Sequence, residues 1–240
     1  MSFDTFLNQT IINKELLTES LEDKGIFKAV FLAGTPGAGK SYIVSKIKSG
    51  AIEPRIVNVD KFTEFLNIND ILSVYDRSKQ ISKNQLIQYI NGVLPLFVDT
   101  TGANINVLKM RVNMLERIGY DCAMVFVNTT LETALERASK RRRKVKPDVI
   151  EDYYHRLQIF KNDIKGFFSF YVEIQNNDDD LTDEVILKAF KRISYFYSGA
   201  IDNPIGRERF DQMSINGWKY LNPNILTIDE IKQQVIKWYR

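Results

Sequence analysis

The chain has 240 residues, 44% of them hydrophobic and 26% charged, with twelve Gly against six Pro; this supplies one large or two small cores and excludes a disordered, collagen-like or disulfide-built protein. The 33 basic and 30 acidic residues leave a net charge of +3, so affinity for a polyanion has to come from where the charges sit. The single cysteine, Cys122, lies in the apolar run Cys-Ala-Met-Val-Phe-Val and reads as a buried, inert thiol in a reducing compartment. Residues 1–25 have no basic start followed by an apolar stretch, and no window approaches a membrane span, so a cytoplasmic protein with no membrane partner is expected.

A polar helical lead-in, with Phe3, Phe6, Leu7, Leu16, Leu17 and Leu21 loosely spaced for packing, is expected to end at Gly25. Short apolar runs then alternate with stretches of helical period. Strands are expected over Phe27 to Leu32, Arg55 to Val59, Leu94 to Val98, Cys122 to Val127 and Phe167 to Ile174, which with the intervening helices predicts an α/β fold on a mostly parallel five-stranded sheet. Val107, Met110, Met114, Leu115 and Ile118 mark the face of a helix closed by Gly119. Thr129 and Glu132 have capping-box spacing before a stripe of Leu131, Ala134, Leu135 and Ala138. Asp178, Asp179 and Asp180 read as a solvated turn before a helix carrying Val185, Ile186, Ala189, Phe190 and Ile193. Asp202-Asn203-Pro204-Ile205-Gly206 reads as a connection to an appendage with Trp218, Tyr220 and a final helix from Thr227 to Tyr239. The expected division is a body over 1–198 and an appendage over 199–240.

Gly34-Thr35-Pro36-Gly37-Ala38-Gly39-Lys40-Ser41 satisfies G-x-x-x-x-G-K-[ST] in full, directly after the first strand and at the start of a helix through Ile43, Val44 and Ile47. Glycines let backbone N–H groups turn inward around phosphate oxygens, and the helix N-terminus adds its positive end. Lys40 reaches the outer phosphates and Ser41 offers a hydroxyl to Mg²⁺. A nucleoside triphosphate, ATP with Mg²⁺, is therefore the expected ligand.

Asp99, at the end of Leu96-Phe97-Val98-Asp99, takes a Walker-B-like position for ordering Mg²⁺ or contacting substrate. Asp99-Thr-Thr-Gly102 also fits the D-x-x-G of GTPases, but Asn128-Thr129-Thr130-Leu131 lacks the lysine and aspartate that specify guanine. Thr100, rather than a water-activating glutamate, follows Asp99, which favours transfer to an acceptor over hydrolysis. Asp60 ends the second strand on the edge that carries the P-loop, where a carboxylate can orient an acceptor hydroxyl and take its proton. Arg137 and Arg141, four apart, would share a helix face and stabilise the transferring phosphoryl group as a lid. Six of the seven residues from Lys140 to Lys146 are basic, more than a lid requires, so Arg142 and Arg143 are candidates for holding a polyanionic acceptor. Tyr154 and Arg156, in the helix after the lid, are further acceptor candidates.

These residues together resemble the P-loop kinase group that includes polynucleotide 5′-hydroxyl kinases and zeta toxins, and in size and lid sequence also phage-encoded kinases of hydroxymethylated pyrimidines. The resemblance covers roughly 27–174 and rests on the P-loop, Val57-Asn58-Val59-Asp60-Lys61-Phe62, and Arg137-Ala-Ser-Lys-Arg141 followed by Val145-Lys-Pro-Asp-Val149-Ile150. It implies the three-layer P-loop kinase fold, with Lys40 and Ser41 on phosphate and Mg²⁺, Asp60 as base, Arg137 and Arg141 as lid arginines and Asp99 as the acidic residue after the third strand. Thr63 stands where polynucleotide kinases carry an arginine for the acceptor's phosphate. The implied activity is transfer of the ATP γ-phosphate to a hydroxyl of a nucleotide or nucleic acid, at a 5′ end or a hydroxymethylated base. The alternatives are a zeta toxin-like sugar-nucleotide kinase and a non-catalytic ATP-binding module that binds nucleic acid.

Overall fold

The apolar run after Phe27 becomes the centre of the sheet. In the computed structural model, which describes residues 25–47, 54–57, 71–141, 145–177, 183–216 and 233, β1 (Lys28–Ala33) is buried along its whole length. It pairs on one side with β3 (Leu96–Asp99) and on the other with β4 (Asp121–Asn128). β2 (Arg55–Val57) and β5 (Phe170–Gln175) form the edges, giving the order β2-β3-β1-β4-β5 with every pairing parallel. Seven helices occur among the described residues: α1 (Lys40–Ile47), α2 (Ile71–Asn91), α3 (Ile105–Ile118), α4 (Leu131–Ser139), α5 (Pro147–Phe167), α6 (Asp183–Ser198) and α7 (Pro204–Asn216).

Strand periodicity divides the core between the two faces of the sheet. Ala29, Phe31 and Ala33 of β1 join Cys122, Met124 and Phe126 of β4 on one face, under Leu86 and Ile90 of α2, Leu108, Val112 and Leu115 of α3, and Leu157 and Ile164 of α5. Val30 and Leu32 join Ala123, Val125 and Val127 on the other, under Ile43 of α1 and Ala189, Ile193 and Phe196 of α6. The expected three-layer α/β architecture on a parallel sheet is the one observed.

Several local details differ from the sequence reading. Phe167 ends α5, and β5 starts only at Phe170, because Ile164 and Phe167 continue the alternating four- and three-residue spacing of α5's core side, after Tyr153, Leu157 and Phe160, before the chain extends. The buried face of α3 is set by Leu108, Val112, Met114, Leu115 and Ile118, which leaves Met110 40% exposed. Thr130, not Thr129, caps α4: its hydroxyl accepts from the Thr133 N–H at 3.2 Å, whereas Thr129 is buried against Asn176 and Asn177. Pro204 to Gly206 are not connection but the first turn of α7, with Asn203 Oδ1 accepting from the Ile205 N–H at 2.9 Å. Gly119 closes α3 as expected, in the left-handed conformation at φ 112°. The lead-in over 1–24, the acidic run 178–180 and, apart from residue 233, the final helix over 227–239 lie outside the described residues.

Candidate active site

The P-loop leaves β1 at the carboxyl edge of the sheet and delivers the chain into α1, as its motif requires. Its glycines meet both demands that the residue type answers, positive φ and close approach of backbone. Gly37 lies at φ 97°, and a Cβ there would run into the Ala134 carbonyl of α4. Gly39 lies at φ 85°, where a Cβ would strike the Asn176 amide. The small residues of α4, Ala134 and Ala138, both buried, let that helix come this close to the loop. Lys40 curls back over the loop, its Nζ donating to the Gly34 carbonyl at 2.7 Å and reaching the Thr35 carbonyl at 3.4 Å. Ser41, in the first turn of α1, is exposed.

Asp99 reaches the same edge from β3. The register sets it beside Leu32, two residues before Gly34, and it is half-buried. The turn after it is tied to the P-loop strand: Thr100 N–H donates to Leu32 O at 3.0 Å, and Gly34 N–H donates to Thr101 O at 3.2 Å. Gly102, at φ 72°, packs so closely that a Cβ would lie 2.7 Å from that of Ala33. Leu157 would lie 3.4 Å from the same point, which brings the middle of α5 beside this turn.

Arg137 arrives from α4. Its Nη1 donates to the Asn176 carbonyl at 2.7 Å and would lie 3.9 Å from a Cβ on Gly39. Arg141 does not share its helix face, because α4 ends at Ser139 with Lys140 as C-cap. Like charges accumulate from residue 140 onward, at a helix end already occupied by Arg137. Arg141 is exposed one turn farther on, its N–H donating to Ala138 O at 3.2 Å. Tyr154 is half-buried on α5, with its ring edge-on to His155, and Arg156 is exposed and paired with Asp152 at 2.8 Å. Asp60, Arg142 and Arg143 lie outside the described residues.

Sequence reading missed Asn176 and Asn177. Asn176 is 3% exposed; its Nδ2 donates to Ala38 O at 2.6 Å, and Asn177 Oδ1 accepts from the Thr130 N–H at 2.9 Å. The available signal was Gln175-Asn176-Asn177, a run of three amides at and just after the end of the last strand, which parallel topology sends to the P-loop edge. Away from this edge, Cys122 is buried as expected, and burial pushes its thiol well above the ordinary value, with the charges of Glu116 and Asp121 adding to the effect. No helix among the described residues is long and apolar enough to cross a membrane.

A parallel sheet ordered 2-3-1-4-5, with a complete P-loop between its central strand and the following helix, defines the P-loop kinase fold. The Zeta toxin family model matches residues 14–183, and the chain belongs to that family. Among solved structures, the PezAT chromosomal toxin–antitoxin system of Streptococcus pneumoniae is similar over 100% of this chain and 98% of that one, at 14% identity and a TM-score of 0.52. A gluconokinase from Sinorhizobium meliloti 1021 is similar over 72% of this chain and 99% of that one, at 14% identity and a TM-score of 0.47. The Pnkp1/Rnl/Hen1 RNA repair complex is similar over 59% and 47%, at 18% identity and a TM-score of 0.49. At 14% identity the likeness to the PezAT system is one of fold. No curated protein matches the chain.

Proposed function

We propose that the protein is an ATP-dependent phosphotransferase that moves the γ-phosphoryl group to an alcohol on a nucleotide-bearing acceptor. The supporting observation is the P-loop itself, with a lysine curled over a glycine-shaped cradle, bordered by Asp99 on one side and Arg137 on the other. Gly34 to Gly39 would cradle the phosphates with backbone N–H groups, and Lys40 would exchange its carbonyl partners for phosphate oxygens. Ser41 and Asp99 are the oxygen donors suited to Mg²⁺, which would neutralise charge between the outer phosphates when bound. Asp60 would accept the hydroxyl proton as the acceptor oxygen bonds to the γ-phosphorus and ADP leaves. Arg137 and Arg141 would spread the developing charge.

Two acceptor classes remain, each with its own support. Membership of the zeta toxin family favours a sugar nucleotide, while the basic run from Lys140 to Lys146 favours a nucleic acid. In the second case Arg142, Arg143, Tyr154 and Arg156 would hold the phosphate backbone or base. The test is incubation with γ-labelled ATP and a panel of sugar nucleotides, nucleosides, oligonucleotides and modified-base DNA, followed by a salt series on whichever acceptor takes label. A polynucleotide should lose affinity steeply with salt as counterion release is suppressed. A short diphosphate should show a shallow dependence. Label on no acceptor, with ATP bound, would leave the ATP-binding module as the correct reading.

A further inference from the structure

We propose that Asn176 is a positioning residue of the phosphate site, aiming one P-loop N–H inward and fixing Arg137 beside it; this rests on the reading of that loop as a nucleotide site. The Asn176 amide donates to Ala38 O at 2.6 Å, and the residue is 3% exposed. In a trans peptide the C=O and the following N–H point in opposite directions. Holding the Ala38 carbonyl outward therefore turns the Gly39 N–H into the loop, where phosphate oxygens are cradled. Gly39 cannot carry a side chain because Asn176 occupies the space its Cβ would need.

The main chain of Asn176 performs the second task. Its N–H donates to Asn128 O at 2.8 Å, continuing the β4–β5 ladder, so the residue is held by the sheet and not by the loop. Its carbonyl accepts from Arg137 Nη1 at 2.7 Å and lies 3.2 Å from the Thr129 hydroxyl. One residue after β5 thus sets the orientation of a P-loop peptide and the place of a guanidinium, with the rigid sheet as its base. The anchoring of Arg137 uses a backbone carbonyl and survives side-chain substitution. The orientation of the Gly39 N–H depends on the side-chain amide.

The separation gives a selective test. Titration calorimetry with ADP and with AMP, on wild type, Asn176→Ala, Asn176→Asp and Lys40→Ala, should show Asn176→Ala weakening ADP about tenfold, the worth of one charge-assisted hydrogen bond. AMP, which lacks the outer phosphate, should change by less than about twofold, and apo melting should stay within a few degrees. Asn176→Asp keeps the shape but sets a carboxylate against the Ala38 carbonyl, so it should weaken ADP further. Equal loss of ADP and AMP affinity, or ADP affinity as in wild type while Lys40→Ala is impaired, overturns the assignment of Asn176 alone. Failure of wild type to bind ADP, or an unimpaired Lys40→Ala, overturns the nucleotide site and this inference with it. If the variants do not fold, ¹⁵N-labelled wild type decides through the Gly39 amide and the Asn176 side-chain amide together: a downfield Gly39 proton shift on adding ADP with an accompanying shift of the Asn176 amide supports the inference, and an unmoved Gly39 resonance, or a Gly39 shift with the Asn176 amide unmoved, refutes it.

Discussion

At the amino edge of the sheet, Lys28 is 2% exposed, with its Nζ 2.7 Å from Asp121 Oδ2 and 2.5 Å from the Ala200 carbonyl. Asp121 in turn accepts from the Asp202 and Asn203 N–H groups at 2.9 and 2.7 Å, so the pair ties β1 and β4 to the chain entering α7. Its two halves should not be equally costly to remove. Asp121→Ala strands a buried ammonium beside the Phe196 ring, 5.1 Å from its centroid, and orphans two N–H groups; a loss of about 3–5 kcal/mol is expected. Lys28→Met leaves Asp121 with both N–H donors and 11% exposed, and costs the Ala200 carbonyl one donor while keeping an apolar chain beside the Phe196 ring, so about 1–2 kcal/mol is expected. For a chain of this size those losses correspond to melting shifts of about 10 °C and about 4 °C. β1 separates the pair from the P-loop by about 20 Å, so ADP affinity should hold in both variants. Thermal unfolding with ADP titration checks this. Equal losses, or a larger one for Lys28→Met, would refute the division of roles between the two partners.

Gly37→Ala should cost about 1–3 kcal/mol in backbone strain and push α4 off the P-loop, reducing ADP affinity more than tenfold by calorimetry. Glu116 is pushed up by burial and then by the charge of Asp121, so its contribution to stability is full below the unfolded value of 4.5 and lost as pH rises through the folded one. Glu116→Gln should therefore melt higher than wild type at pH 7, with the gain vanishing below about pH 4, as followed by melting across a pH series. Arg141→Ala should slow transfer at saturating ATP, whereas Arg143→Ala should weaken a polynucleotide acceptor and lower its salt slope by about one.

What could be read from the chain alone follows from how local each signal is. The P-loop was legible because its geometry demands glycines at fixed positions in eight consecutive residues. The central strands β1, β3 and β4 were legible because both faces of a parallel sheet are covered there, giving nearly continuous apolar runs. Their order was not, since nothing in Leu96 to Val98 states that β3 lies between β1 and β2. Phe167 belongs equally to a helical stripe and to the apolar run that follows, and only packing against the core decides between them. Thr129 and Thr130 are both good caps until Asn176 and Asn177, nearly fifty residues on, engage the first. Lys28 and Asp121 are likewise unremarkable charges at two strand ends until the register pairs them.

Transfer of label from γ-labelled ATP, measured with ADP affinity in wild type, Lys40→Ala and Asp60→Asn, tests the kinase reading most directly. Lys40→Ala should lose transfer and bind ADP weakly, because the loop backbone alone does not neutralise the outer phosphates. Asp60→Asn should bind ADP as wild type does while transfer falls by about 10² or more, the worth of a positioned base. Undiminished transfer in Lys40→Ala, or loss of ADP affinity in Asp60→Asn equal to its loss of rate, would contradict the account.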